Sequence, residues 1–358
     1  MKKILFIIPT LIQTSGVAAF MVNYFKEFKF DGFNIEVLYN DFNPSKNYIE
    51  FFEEKNIKLY SLPYVRNTNI VQYYNEIKKF FYEHHDYEVI YSNASYQSYL
   101  FFREAKKYGI NKIIMHSHAT QASDNKYKNI IGQVIQKMAN KYVNYKLACS
   151  NLAGIAMFGK SNFKIINNAI DYNKYMYSEL HRKKLRTQYH IEENEKVIGY
   201  VGRFSPQKNI FFFIELAKKI DSSYKIMMIG TGPLKEEFIS LINENSLADK
   251  FVLIDEISNV NEYYSLFDYF FLPSVYEGLP IVGVEAQANG LPCIFSDTIS
   301  KECKISNNTV YLDRNNVDSW IENMSKMKRN EDLKLNDDFN INVQAKKFEK
   351  LLSKIVNE

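Results

Sequence analysis

The sequence contains no apolar run approaching the ~20 residues that span a bilayer, so any membrane contact is expected to be peripheral. The opening stretch Met1-Lys-Lys-Ile-Leu-Phe-Ile-Ile-Pro9 could be mistaken for a leader. Its apolar part is short, Pro9 ends it and no convincing cleavage site follows, so it reads as a β-strand. Cysteine is scarce: Cys149, Cys293 and Cys303 are odd in number and widely spaced. That excludes a disulfide framework and zinc-ligand spacing, and fits reduced structural thiols in a cytosolic protein. Asp-x-Asp is absent. Asp86-Tyr-Glu88 comes nearest and reads as a solvated turn before a strand, so a cation site built on that pattern is not expected. No nucleic-acid reader motif occurs and the basic excess is diffuse, which disfavours nucleic acid as a partner.

The chain has 358 residues, too many for one typical domain, with 46% hydrophobic and 24% charged residues, as in ordinary globular proteins. The net charge of +4 is unevenly distributed. Residues 1–165 carry 21 Lys and Arg against 13 Asp and Glu, whereas the remainder carries 24 against 28. The basic half suits an anionic partner such as a membrane surface or a phosphate-bearing acceptor; a solvated Lys-rich surface explains it equally.

Short apolar runs alternate with amphipathic stretches. Strand-like runs fall at 4–8, 35–39, 57–62, 89–91, 113–115, 146–149 and 164–166, with helical patterns at 17–28, 70–82, 96–108 and 130–142. In the first helical pattern, apolar residues at 17, 20, 21, 24, 25 and 28 share one face. A polar stretch, 171–195, reads as a domain junction. A second alternation follows, with strands at 197–201, 225–229, 251–254, 269–272 and 292–296 and helices at 210–220, 234–245, 260–267 and 281–288. This order implies an α/β protein of two tandem doubly wound, Rossmann-like domains, with strand ends across a cleft. The expected boundaries are 1–170 for the first domain, 171–338 for the second, and 339–358 for a terminal helix packing back toward the first.

The chemistry-bearing residues fall at strand ends. Glu277 and Glu285 stand eight positions apart around Gly278-Leu279-Pro280, after the run 269–272. Pro280 suits a helix start, and free N–H groups there can seat a phosphate. Arg203 and Lys208 follow the strand that ends near Gly202. Arg can fork onto two phosphate oxygens and Lys supplies a point charge, as a departing diphosphate requires. A solvated basic turn would explain either cation alone. Gly230-Thr-Gly232 follows another strand; it fits a ligand loop or a tight turn before Pro233. In the first half, Gln13-Thr-Ser-Gly16 lies between strand and helix, and Gly16 permits close backbone approach. His116 and His118 share one side of a strand if both are extended, and His118 lies past the apolar run. No further ligands accompany them as a metal pair, and His84, His85, His181 and His190 are assigned no role.

The run Gly202-Arg203-…-Gln207-Lys208-Asn209 and the Glu277-x7-Glu285 element resemble the retaining GT-B glycosyltransferases of family 4. His116-Ser-His118, Ala148-Cys-Ser150, Asn168-Ala-Ile-Asp171 and Glu285-Ala-Gln-Ala-…-Gly290-Leu-Pro292 are similar to the branch that builds bacterial capsular and extracellular polysaccharides. The resemblance runs from Lys3 to about Trp320. It implies that Arg203 and Lys208 bind the donor diphosphate, that Glu285 holds the ribose, and that Glu277, with Gly278 and Leu279, contacts donor sugar or phosphate. It further implies that Gly230 and Gly232 line the nucleotide pocket and that His118 contacts the donor sugar near the reacting carbon. Family members often carry two glycines where this chain has Ser15-Gly16.

The implied reaction is transfer of a hexose or N-acetylhexosamine from a nucleoside diphosphate, UDP by expectation, to a glycan or lipid-linked glycan. No cofactor or metal is expected, and the implied location is cytoplasmic, at the inner face of the cell membrane. The resemblance implies retention of configuration; no acid–nucleophile pair is evident, so front-face transfer is expected, with Glu277 as a nucleophile the lesser alternative. The rival readings are a non-catalytic sugar-nucleotide-binding subunit and a GT-B epimerase of the sugar nucleotide. Replacing Lys208 is expected to cut turnover far more than folding.

Overall fold

A computed structural model describes residues 2–13, 15–63, 69–94, 97–119, 126–330, 333, 335 and 337–358, excepting the side chains of 126–129. Thr14, within the expected Gln13–Gly16 loop, lies outside the described residues. The chain divides into two compact units, Met1–Ala169 with Ile341–Glu358, and Ile170–Asn340.

The first unit is built on strands β1 (Lys2–Ile8), β2 (Phe33–Asp41), β3 (Lys58–Pro63), β4 (Val89–Ser92), β5 (Lys112–Ser117), β6 (Tyr145–Ala148) and β7 (Lys164–Ile165). Helices α1 (Gly16–Glu27), α2 (Lys46–Glu54), α3 (Ile70–Glu83), α4 (Ser98–Lys107), α5 (Lys126–Ala139) and α6 (Asn151–Phe158) connect them. The sheet order is β3-β2-β1-β4-β5-β6-β7, and every paired strand is parallel. Parallel strands are covered on both faces, which is why Ile4–Ile8 is apolar without alternation and fully buried.

The second unit opens with α7 (Tyr172–Tyr175) and α8 (Glu179–Gln188). Its strands are β8 (Lys196–Val201), β9 (Tyr224–Ile229), β10 (Phe251–Ile254), β11 (Tyr269–Leu272), β12 (Cys293–Ser296) and β13 (Thr309–Leu312). Between and after them lie α9 (Phe212–Lys219), α10 (Lys235–Glu244), α11 (Val260–Leu266), α12 (Ile281–Ala288) and α13 (Val317–Met324). The order β10-β9-β8-β11-β12-β13 is again all parallel. Helix α14 (Ile341–Asn357) returns to the first unit, where Phe348 packs among the rings of Phe20, Tyr24, Phe28 and Tyr91.

The polar stretch 171–195, read from sequence as a domain junction, carries α7 and α8. Ser178 caps α8 by accepting from the His181 N–H at 3.3 Å, and Arg182 reaches the Leu266 carbonyl (2.8 Å) and Asp268 (2.9 Å). Helices α2 and α6 and strand β13 carried too short a pattern to stand out from sequence. All three cysteines are free and buried.

Candidate active site

In each sheet the strand order reverses once, between β1 and β4 and between β8 and β11. At such a point the crossovers diverge to opposite faces and leave a crevice outside the strand ends, where ligands of open α/β sheets bind. The loops after β8 and β11 hold Arg203, Lys208 and Glu277, so the reversal in the second unit brings these sequence-predicted residues together.

The two loops are joined by one backbone and two side-chain amide hydrogen bonds. Val275 N–H donates to the Gln207 carbonyl (2.8 Å), Gln207 Nε2 to the Tyr276 carbonyl (3.0 Å), and Asn209 Nδ2 to the Pro273 carbonyl (3.2 Å). Asn209 adopts the left-handed conformation (φ 51°), which Asn tolerates better than most residues, and this turns the chain from the Pro206–Lys208 turn into α9. Lys208 Nζ then reaches Glu277 Oε1 in a hydrogen-bonded ion pair whose side chains are 16% and 9% exposed. Arg203 is exposed. Tyr200 Oη donates to its carbonyl (3.1 Å) and fixes the loop from below.

The Gly230–Gly232 loop after β9 leans on the same turn. Gly230 has φ +141°, and a Cβ there would stand 2.2 Å from the Gly202 carbonyl oxygen; at Gly232 it would stand 2.4 Å from that of Phe204. Both glycines are therefore required by backbone packing, whatever ligand the loop meets. Gly278 and Leu279 are buried beside Pro280, which occupies the cap position of α12 rather than its first turn.

Glu285 lies on α12 and is 7% exposed. Its Oε1 accepts from Tyr175 Oη at 2.7 Å and its Oε2 from Tyr264 Oη at 2.6 Å. Burial raises its pKa, and the hydrogen bonds from Tyr264 and Tyr175 oppose the shift. Neither tyrosine was marked by sequence reasoning. The spacing of Tyr175, four residues after Asp171, was a faint signal, because Asp171 caps α7 by accepting from the Asn173 N–H (3.0 Å).

In the first unit, His116 and His118 do share one side, with ring centroids 4.0 Å apart and the Phe20 ring edge-on to both. Tyr91 Oη lies 2.6 Å from His116 Nδ1, and Asn93 Oδ1 accepts from His118 Nε2 at 2.7 Å. Burial lowers both pKa values, that of His118 to about 3, so both rings are neutral near pH 7. At the β1 loop, Ser15 Oγ caps α1 by accepting from the Ala18 N–H (3.3 Å), and a Cβ on Gly16 would meet nothing within 4 Å. Ser15 thus has a capping role of its own. Among the described residues no cluster of three His, Cys, Asp or Glu side chains could hold a metal ion.

The comparisons agree with this architecture. Residues 181–346 match the family described as glycosyl transferases group 1. A UDP-Gal:alpha-D-GlcNAc-diphosphoundecaprenol alpha-1,3-galactosyltransferase of Escherichia coli is 23% identical over 368 residues, 96% of this chain and 89% of that protein. The capsular polysaccharide biosynthesis glycosyltransferase CapH of Staphylococcus aureus is 25% identical over 261 residues, 66% of this chain and 69% of that protein. Other curated relatives are covered over less than two thirds of their own length. Anabaena HepE, solved with UDP and glucose, superposes with a TM-score of 0.80 at 16% identity, over 99% of this chain and all of that one. The segment that builds most of the second unit thus matches the group 1 glycosyltransferases, and the chain has the GT-B fold.

Proposed function

We propose that the protein transfers a hexose or N-acetylhexosamine from a UDP-sugar to a glycan or lipid-linked glycan hydroxyl in surface-polysaccharide synthesis, with retention of configuration. The Lys208–Glu277 pair at the strand-order reversal of the second unit carries this reading. Lys208 and Arg203 neutralise the diphosphate as the bond from the anomeric carbon to the phosphate oxygen breaks. Glu277, with the backbone of Gly278 and Leu279, holds the donor sugar, and Glu285 grips the ribose. Gly16, Gly230 and Gly232 bring backbone close to the donor. His118, neutral and fixed by Asn93, contacts the sugar near the reacting carbon. The acceptor oxygen bonds to the anomeric carbon on the face the phosphate leaves, and its proton passes to the departing phosphate oxygen. Arg203 and Lys208 fill the charge-neutralising role without a metal.

The test is a screen of nucleotide sugars for thermal stabilisation, then for hydrolysis and transfer. Stabilisation without turnover of any donor would favour the non-catalytic subunit, and conversion of donor without acceptor would favour the epimerase. Either outcome overturns the transferase reading of this site.

We infer a second partner, an anionic membrane at its cytoplasmic face, from α5. This helix is inverted. Gly132, Gln136 and Ala139 are buried, while Ile130, Ile131 and Val134 are more than half exposed and Met138 is 38% exposed. Leu152 and Ile155 of α6 are exposed as well. Between Asp124 and Asp171 the sequence has seven lysines and no acid. An outward apolar face in a purely cationic stretch suits the headgroup boundary of an anionic bilayer. No helix among the described residues is long and apolar enough to cross it. Flotation on phosphatidylglycerol vesicles should recover the protein and lose it on Val134→Glu; recovery on neutral vesicles alone, or by the variant equally, overturns the inference.

A further inference from the structure

Glu285 is a costly residue where it stands. A carboxylate 7% exposed on a helix whose other residues are apolar, small or amide needs partners for its charge. The two it has are both phenols, and they come from different elements. Tyr175 ends α7, 110 residues away in sequence, and Tyr264 lies on α11, 21 away. Their rings meet edge to face at 5.9 Å. The arrangement is held from outside. Asn289 Nδ2, just past the end of α12, donates to the Tyr175 carbonyl (2.7 Å), and the Ser178 N–H donates to Ser265 Oγ on α11 (3.0 Å).

We propose that Tyr175 and Tyr264 are positioning residues for nucleotide binding, each fixing one oxygen of the Glu285 carboxylate so that its remaining lone pairs face the two ribose hydroxyls. This rests on the reading of Glu285 as the ribose acid. An ionised carboxylate offers about four acceptor sites, two on each oxygen. One phenol on each oxygen leaves one site on each, matching the two adjacent hydroxyls of a ribose. A single phenol, or two on one oxygen, would leave the group free to rotate or unequally occupied.

The same bonds favour the ionised form that a ribose hydroxyl can donate to. Other groups near this carboxylate are accounted for. Lys174 on α7 adds a weaker attraction. On α11, Glu262 faces Lys184 (3.5 Å) and Tyr263 pairs with Tyr189 (2.9 Å). Arg329 Nη2 donates to the Tyr264 carbonyl (3.2 Å), and α12 itself carries no second charge.

The experiment uses the full chain with Glu285→Gln, Tyr175→Phe and Tyr264→Phe. UDP, GDP and ADP are titrated against the wild type, and the tightest binder serves as the probe. Its Kd is measured by calorimetry as a function of pH, beside the unliganded melting temperature of each variant. The expected result is that E285Q weakens binding, that each Tyr→Phe raises Kd about fivefold to tenfold, and that the acid limb of binding moves to higher pH in both. A merely structural role would lower melting temperature without moving that limb. If E285Q weakens binding but the phenylalanine variants keep the wild-type limb, the positioning role is overturned and the ribose reading stands. Unchanged binding in E285Q, or no binding of any probe by the wild type, overturns both.

Discussion

Lys208→Met tests the site most sharply, because the structure changes the expectation formed from sequence. Removing a cation that only waits for phosphate would scarcely affect folding. Lys208 instead pairs with Glu277, and both side chains are largely buried. Breaking a fully buried pair costs about 3–5 kcal/mol, mostly because one charge is left uncompensated. With 16% and 9% exposure remaining, water recovers part of that, so about 2–4 kcal/mol is expected. A unit of this size shifts its melting temperature by roughly 2–4 °C per kcal/mol, so a drop of about 4–16 °C follows. Loss of a preorganised charge at the leaving group costs about 10²–10³ in turnover. A double-mutant cycle with Glu277→Gln separates the two effects. In the double variant no buried charge is left alone, so stability should recover toward wild type while turnover stays as low as in Lys208→Met. Thermal denaturation and donor turnover under saturating acceptor are the assays. Wild-type turnover in Lys208→Met would refute the reasoning, as would recovery of turnover together with stability in the double variant.

Gly230→Ala should destabilise the second unit by several kcal/mol, since it combines φ +141° with a 2.2 Å approach to the Gly202 carbonyl; an unchanged melting temperature would contradict that packing. Stability should also fall with pH below about 6.5. His116 and His118 have folded pKa values lowered by burial, so the unfolded chain takes up protons that the native rings refuse. Their contribution is complete above the unfolded pKa and is lost, at about 1.4 kcal/mol per pH unit for each ring, as pH falls toward the folded values. Denaturation series between pH 7 and 5.5 would show this, and a His116 or His118 ring titrating near 6.5 by NMR in the native state would contradict it.

Much of the fold was legible because strand and helix patterns are local. The buried run Ile4–Ile8 and the one-sided helix that follows declare themselves within a few residues. Helices α2 and α6 were not visible, being only nine and eight residues long, and α8 was hidden in a polar stretch because it buries Leu185 and little else. The candidate residues Arg203, Lys208 and Glu277 could be marked because strand-end loops are where such folds bind ligands, and Glu285 by its spacing from Glu277. Their partners could not. Asn93 and Tyr264 are unremarkable as sequence, and the outward direction of the apolar residues of α5 is decided by how the helix packs.

The sequence by itself determined two parallel α/β units and the turns that carry charge. It did so through periodicity, capping residues and glycines, whose effects act over a few residues. Tertiary structure decided which of those charges meet. Lys208 and Glu277 are 69 residues apart and touch because β8 and β11 are neighbours across the reversal in strand order. Glu285 is enclosed by two phenols because α7, α11 and α12 pack together. Strand order and helix packing follow from burying apolar surface across the whole unit, and no local pattern encodes that choice.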